Sequence, residues 1–366
     1  MVFAVFGSII ALISFLIATH NARFYKWQRR LFFVAFIVFI ALCISLIQPK
    51  GTFDLTRHYR LLDGIKSSNQ NWIKYIVDNG EANYRFTYFF NFLTYFIGKY
   101  LLHQALPFLA AIICYGVVEY LLNNAYENKK FKNGHIALTV FVTIGFLPVV
   151  YVYSGIRNAV AAAIVALAIY LRIYKDISLT AFFALSALAA TMHPVAIAAV
   201  PFMFLSKIHP GKKSVILILL IPYLLDVMMT YFRKSNYDIL RYIGAKFYSY
   251  ISRVHYQGKT FYYSAIIMTA TVLLFSLIRR KEASNKDRAF INFITWYCIF
   301  VFANLRSYQI VSRLPYVLGI LSPQIVQTIF SPSYYHGWKR TLLYSAFAGI
   351  AAVAIFDIYQ NFMWMC

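Results

Sequence analysis

Acidic residues are scarce in this chain. Twelve Asp and Glu stand against 35 Lys and Arg, and charged residues of either sign make up only 13% of its 366 positions. With 61% of residues hydrophobic and apolar runs recurring along the whole length, an ordinary soluble domain is excluded. Cysteine is sparse too. Cys43, Cys114, Cys298 and Cys366 lie in or beside apolar runs without metal-ligand spacing, so no disulfide framework is implied and they read as packing thiols. Walker A, H-E-x-x-H, G-x-S-x-G and Asp-x-Asp patterns are missing, so ATP hydrolysis, zinc proteolysis and metal-dependent nucleotide-sugar transfer lack their usual parts. No Pro/Gly/Ser-rich linker, low-complexity tract or repeat divides the sequence, which reads as one membrane domain over 1–366. The first run, Val2 to Ala18, lacks a basic n-region and a convincing cleavage site and is expected to be a retained span.

What the chain has in abundance is continuous apolar sequence. Runs of about 17 to 22 residues without period-two alternation predict transmembrane helices and exclude a β-barrel. The expected fold is all-α, a polytopic integral membrane protein of about twelve transmembrane helices. The spans are expected near 2–19, 31–48, 105–123, 136–153, 156–171, 177–192, 195–206, 214–231, 261–278, 289–305, 314–330 and 341–360. The run at 195–206 is short, contains Pro201, and is expected to be broken or tilted.

Short basic turns orient these spans. Arg23 to Arg30, Lys129 to Lys132, Arg172 and Lys175, Lys207 to Lys213, Arg279 to Arg288, and Lys339 with Arg340 hold just over half of the Lys and Arg and would face the cytoplasm, leaving both termini outside. The stretch 84–102 does not fit as a span, because crossing there would invert every later turn. It is expected to form an extra amphipathic or re-entrant helix on the outer face. The remaining basic residues then fall outside, where targeting gives no reason for them. Most lie in two outer loops, about 49–104 and 232–260, with Arg157, Arg306 and Arg313 at span mouths. Arginine there suits a lipid-linked phosphate or pyrophosphate, since guanidinium binds phosphoryl oxygens in a fork and stays charged. For the loop lysines, plain contact with anionic headgroups is the alternative.

Three constellations stand out. The Ala-rich runs 157–171 and 177–191 form an antiparallel hairpin that returns Arg157 and His193 to one membrane face, a cation and an imidazole at its mouth. Arg157 needs a partner at membrane depth, and neutral imidazole could orient or deprotonate a hydroxyl. In the first outer loop, Asp54, Arg57, His58, Tyr59 and Arg60 follow a helical spacing that fits either a catalytic face or a solvated one. Arg306 and Arg313 bracket Ser307-Tyr308-Gln309 at a later mouth, and Arg313 is followed by Pro315 and Tyr316.

Asp54, Arg57 and Tyr59, then Gly155-Ile156-Arg157-Asn158-Ala159-Val160-Ala161 opening an Ala-rich span, then His193-Pro194, and finally Arg313 to Tyr316 together resemble the EpsG family. These are polytopic polymerases of bacterial surface polysaccharides, related in role to Wzy O-antigen polymerases. Two positions depart from the family pattern: Asn158 stands where Gln is usual, and Pro194 follows His193 in place of a small residue.

The resemblance implies a GT-C-like glycosyltransferase in the bacterial cytoplasmic (inner) membrane, its active site facing the periplasm or outside, without a cofactor or metal. It would move a glycan from polyprenyl pyrophosphate to a lipid-linked repeat unit of O-antigen, capsule or exopolysaccharide. Partners would be the two lipid-linked oligosaccharides, membrane lipids and a chain-length regulator. On this reading Arg157, His193 and Asp54 are catalytic. Arg57, His58, Tyr59, Arg60, Asn158, Arg306, Arg313 and Tyr316 bind substrate. Other readings of the same features are a transporter or flippase of lipid-linked glycan, a ligase to another acceptor, and a partner that only binds glycan. A transporter would want cations lining a path through the membrane, whereas here they gather at one face.

Overall fold

The structure is a computed structural model that describes residues 26–47, 54–77, 84, 86–127, 139, 143, 147, 149–252, 259–279, 283–305, 307–330, 337–338, 341–342 and 345. Among these every regular element is helical and there is no strand. The helices are α1 (Lys26–Ser45), α2 (Asp54–Ser67), α3 (Trp72–Val77), α4 (Tyr88–Tyr100), α5 (Ala105–Glu127), α6 (Val149–Ser154), α7 (Ile156–Tyr174) and α8 (Leu179–Met192). After a 3-10 turn (Pro194–Ala199) come α9 (Val200–Leu205), α10 (Lys212–Arg233), α11 (Asp238–Ser252), α12 (Lys259–Arg279) and α13 (Asn285–Ala303). The last described helices are α14 (Tyr308–Val311), α15 (Tyr316–Ile320) and α16 (Ser322–Ile325), followed by a π-helical turn (Val326–Phe330).

Among the described residues, three stretches are long and apolar enough to cross a membrane: Ala105–Ala125, Ile156–Tyr174 and Lys212–Arg233. Arg30–Ser45, Leu179–Met192, Pro194–Leu205 and Ala265–Arg279 are apolar but shorter. The run expected at 2–19, most of those at 136–153 and 341–360, and Cys366 lie outside the described residues.

α7 is the centre of the molecule. Its Ala-rich sequence lets neighbours approach closely on every side, and α5, α6, α8 and α15 pack against it. About 72% of its spanning window is buried, against 11% for α10, which stands at the periphery. The turn from α7 to α8 closes through Asp176 in the left-handed region (φ 54°), a conformation Asp tolerates, and the Ser178 hydroxyl caps α8 by accepting from the Ala181 N–H.

Two expected spans are interrupted. The 195–206 run starts as a 3-10 turn at Pro194 and becomes α-helical only from Val200, where Pro201 occupies an early helical position that does not need its missing N–H. The 314–330 run breaks into α15, α16 and the π turn, with Pro323 starting a new helical segment after Leu321.

The 84–102 stretch forms α4, whose 13 residues extend about 20 Å at 1.5 Å per residue, short of a ~30 Å hydrocarbon core. α4 packs on α2 and α3 through Phe90, Asn91, Thr94 and Gly98, while Tyr88, Phe92, Phe96 and Tyr100 form an exposed stripe four residues apart. Lys99 donates to the Ser68 carbonyl and the Tyr95 hydroxyl to that of Gln70 (3.2 Å), which ties α4 to the α2–α3 connection.

At the C-terminal end of α7, three basic turns converge. Lys286 donates to the Tyr174 carbonyl (2.9 Å) and to the Asp176 carboxylate, and the Tyr174 hydroxyl donates to Asp287 (3.0 Å) while accepting from Gln324 (2.8 Å). Lys286 first, then Arg172 and Lys207, hold the Asp176 carboxyl below its ordinary range. Arg157 sits at the opposite end of the same helix.

Candidate functional site

α7 begins at Gly155, which offers the first turn no side-chain cap, while its carbonyl accepts from the N–H groups of Asn158 (2.9 Å) and Ala159 (3.0 Å). Arg157 and Asn158 follow immediately. Asn158 is buried, and its Nδ2 makes no hydrogen bond within the protein. A buried amide donor left without an acceptor costs about 1–3 kcal/mol, which a bound oxygen would recover.

The segment that carries α2 to α4 folds over this helix end. On α2, Leu55, His58, Leu62 and Ile65 turn inward, three to four residues apart, while Asp54, Arg57 and Arg60 turn outward. The loop motif is thereby split. Asp54 and Arg57 form an ion pair (2.9 Å) exposed on the outer side, whereas His58 is fully enclosed. Tyr59 lies between, half-buried, its ring 5.3 Å from that of His103 and its hydroxyl buried without a hydrogen bond; burial pushes that hydroxyl up to about 12. His103 in turn contacts the Asp63 carboxylate (3.2 Å).

Arg157 meets the loop at Tyr84 and Phe90. Its guanidinium carbon lies 4.7 Å from the Tyr84 ring centre and 5.3 Å from that of Phe90. The two rings stack at 5.6 Å and 21°. His58 completes the group, 5.1 Å from Phe90, with its Nδ1 3.2 Å from the Tyr84 hydroxyl. Burial, then the positive charges of Arg157 and Arg57, hold the His58 imidazole well below its ordinary range. A neutral His58 pairs with the Tyr84 hydroxyl through Nδ1, as acceptor in the tautomer with its proton on Nε2 and as donor in the other.

His193 ends α8 at the same end of the hairpin. It is buried, and its Nδ1 accepts from the Val195 N–H (3.3 Å), so it caps the 3-10 turn that follows. Arg313 is half-buried just before Leu314, whose carbonyl accepts from the Tyr297 hydroxyl (2.7 Å), and Tyr316 is buried at the start of α15 against α7. Arg306 lies outside the described residues. The 232–260 segment meets the 49–104 segment where the Phe86 ring stands edge-on to Tyr242 of α11 (5.2 Å), and within the former Arg233 lies over the Tyr248 ring (4.4 Å).

Tyr84 and Phe90 were not legible as site residues. Nothing local links them to Arg157; the one trace is the Thr87 and Asn91 pair that fixes the turn. The Tyr84 carbonyl accepts from the Thr87 N–H (3.2 Å), the Thr87 hydroxyl (2.7 Å) and the Asn91 amide (3.1 Å). Among the described residues no group of three or more His, Cys, Asp or Glu could hold a metal ion.

No curated protein and no solved structure matches the chain. A family model does match, over residues 30–364, and it is that of the Wzy-like polysaccharide polymerases on which the sequence motifs converge: the chain belongs to the EpsG family.

Proposed function

We propose that the protein is a glycosyltransferase that extends a bacterial surface polysaccharide on the outer face of the cytoplasmic membrane. The donor is a glycan on polyprenyl pyrophosphate and the acceptor a lipid-linked repeat unit. Family membership supports polysaccharide polymerisation in general. The observation that carries the finer reading is the start of α7, where Arg157 and the unsatisfied Asn158 amide share one helical turn beneath the basic outer loop. A guanidinium, an amide donor and a helix N-terminus together suit phosphoryl oxygens.

In this reading the acceptor hydroxyl attacks the anomeric carbon, the bond from that carbon to the pyrophosphate oxygen breaks, and charge grows on the departing polyprenyl pyrophosphate. Arg157 and Asn158 stabilise that charge, with Arg313 and Arg306 from the later mouth, so the step draws on the sugar–pyrophosphate bond and on positioned cations. Asp54 takes the acceptor proton. It stands one helical turn before His58, and its carboxylate accepts from Arg57 (2.9 Å). His193, whose Nδ1 already accepts a hydrogen bond, presents its proton on Nε2 and orients the acceptor oxygen. Arg57, Tyr59, Arg60 and Tyr316 position the two glycans. Twelve crossings in a GT-C-like arrangement, outer loops at 49–104 and 232–260, and pairing with a chain-length regulator complete the proposal.

Reconstitution in liposomes with a lipid-pyrophosphate repeat unit tests it. A ladder of products should form without ATP or added metal, and Arg157→Ala should lower the rate by about 100-fold or more, in line with loss of a charge-stabilising group. Undiminished chain growth in that variant would remove Arg157 from the mechanism.

A further inference from the structure

We propose that Tyr84 and Phe90 are positioning residues, a stacked aromatic pair that holds the Arg157 guanidinium in the plane needed to grip a pyrophosphate. The proposal rests on the reading of Arg157 as the pyrophosphate ligand and extends it to residues that no motif includes. Its basis is geometric. The guanidinium carbon and the two ring centres form a triangle of 4.7, 5.3 and 5.6 Å, and the rings lie within 21° of parallel.

A guanidinium placed over an aromatic face is held through the ring quadrupole. A long side chain at a helix mouth otherwise loses rotamer freedom when it binds, and holding it beforehand removes that cost.

The pair is itself held. The Tyr84 hydroxyl meets His58 Nδ1 (3.2 Å), which fixes the ring from its far end, and three donors converge on the Tyr84 carbonyl. Between Tyr84 and Thr87 the backbone turns through Phe86 at φ 63°, a left-handed conformation unfavourable for a bulky side chain. A strained residue in a turn pinned by Thr87 and Asn91 is the mark of a segment whose shape is imposed by its surroundings, and what that shape delivers is the Tyr84 ring over Arg157.

The experiment measures binding of farnesyl pyrophosphate to the full-length protein in detergent, for wild type, Arg157→Ala, Tyr84→Leu, Tyr84→Phe and Phe90→Leu. Tyr84→Leu and Phe90→Leu should each weaken binding about tenfold, the range expected for a partly desolvated cation–π contact. Tyr84→Phe, which keeps the ring, should stay within about threefold of wild type. Phe90→Leu leaves the His58–Tyr84 hydrogen bond in place and reads the effect independently of any folding defect at Tyr84. Adding Tyr84→Leu to Arg157→Ala should cause no further loss, because the ring acts through the guanidinium. If Arg157→Ala loses affinity while both leucine variants bind as wild type, or if the double variant is weaker than Arg157→Ala alone, the cradle is refuted and the pyrophosphate reading stands. If Arg157→Ala itself binds as wild type, the pyrophosphate reading falls and takes the cradle with it.

Discussion

At the residue scale, His58 shows how one side chain can join α2 to the helix end beneath it. Its inward position follows from the spacing of Leu55, Leu62 and Ile65, which places a histidine on an apolar face. The imidazole pays for that position in protons. Its pKa in the folded protein is well below its unfolded value of about 6.5, so between the two the unfolded chain binds more protons. The stability from a neutral, buried His58 is therefore fully present above about pH 6.5 and is lost as pH falls from there through the lowered folded value. We expect the thermal midpoint of the wild type to drop between pH 7 and pH 5 by several degrees more than that of His58→Gln, measured in detergent. Equal slopes would show that His58 is not the group responsible.

At the scale of elements, the docking of α4 on α2 is set by one close approach. A Cβ added at Gly98 would lie 3.0 Å from Ile65 Cβ and Cγ2 and 3.1 Å from the Leu62 carbonyl oxygen. None of these is the far end of a flexible side chain, so the helices would have to separate. Gly98→Ala gains roughly 1 kcal/mol in helix propensity but loses about 1–3 kcal/mol to overpacking, and the second effect wins. Gly64, within α2 itself, has open space around its Cβ direction, so Gly64→Ala should keep the propensity gain of about 0.5–1 kcal/mol. Thermal unfolding of the two variants should thus move in opposite directions, Gly98→Ala down and Gly64→Ala up. Matching shifts would mean that helix propensity, and not this contact, governs the loop.

These elements also show what a sequence discloses. Runs of alanine around Arg157 and His193 announced the α7–α8 hairpin, because small residues at helical spacing have few other uses beside apolar neighbours. Charge balance alone kept the 84–102 stretch from being read as a span, and its 13-residue helix is too short to cross. By contrast, the breaks at Leu321 and in the π turn depend on how Pro323 and its neighbours pack, which an apolar run does not reveal. The split of the Asp54 to Arg60 motif was undecidable from spacing, since a helix offers both faces and only the position of α4 selects one. Tyr84 and Phe90 reach Arg157 through tertiary folding, so no local period could have shown them.

At the scale of the whole molecule, α7 separates two chemically different ends. Around Tyr174 and Asp176 the turns bearing Arg172, Lys207 and Lys286 converge, the cations that the sequence assigns to the cytoplasm. Around Arg157 lie the two segments that the sequence assigns to the outer face, joined through Phe86 and Tyr242. A helix of 19 residues extends about 28 Å, close to the hydrocarbon thickness, so these clusters should lie at opposite membrane surfaces. Arg60 and Lys175 are exposed at the two ends and suit a labelling test. Cys114 and Cys298 are buried and Cys43 half-buried, and with Cys366→Ser as the starting background the native labelling stays low. In intact cells with only the cytoplasmic membrane enclosing them, a membrane-impermeant maleimide should label Arg60→Cys and spare Lys175→Cys. Permeabilised cells should label both. Protection of Arg60→Cys together with labelling of Lys175→Cys would turn the molecule over, place Arg157 at the cytoplasmic surface, and require the polymer to grow inside the cell.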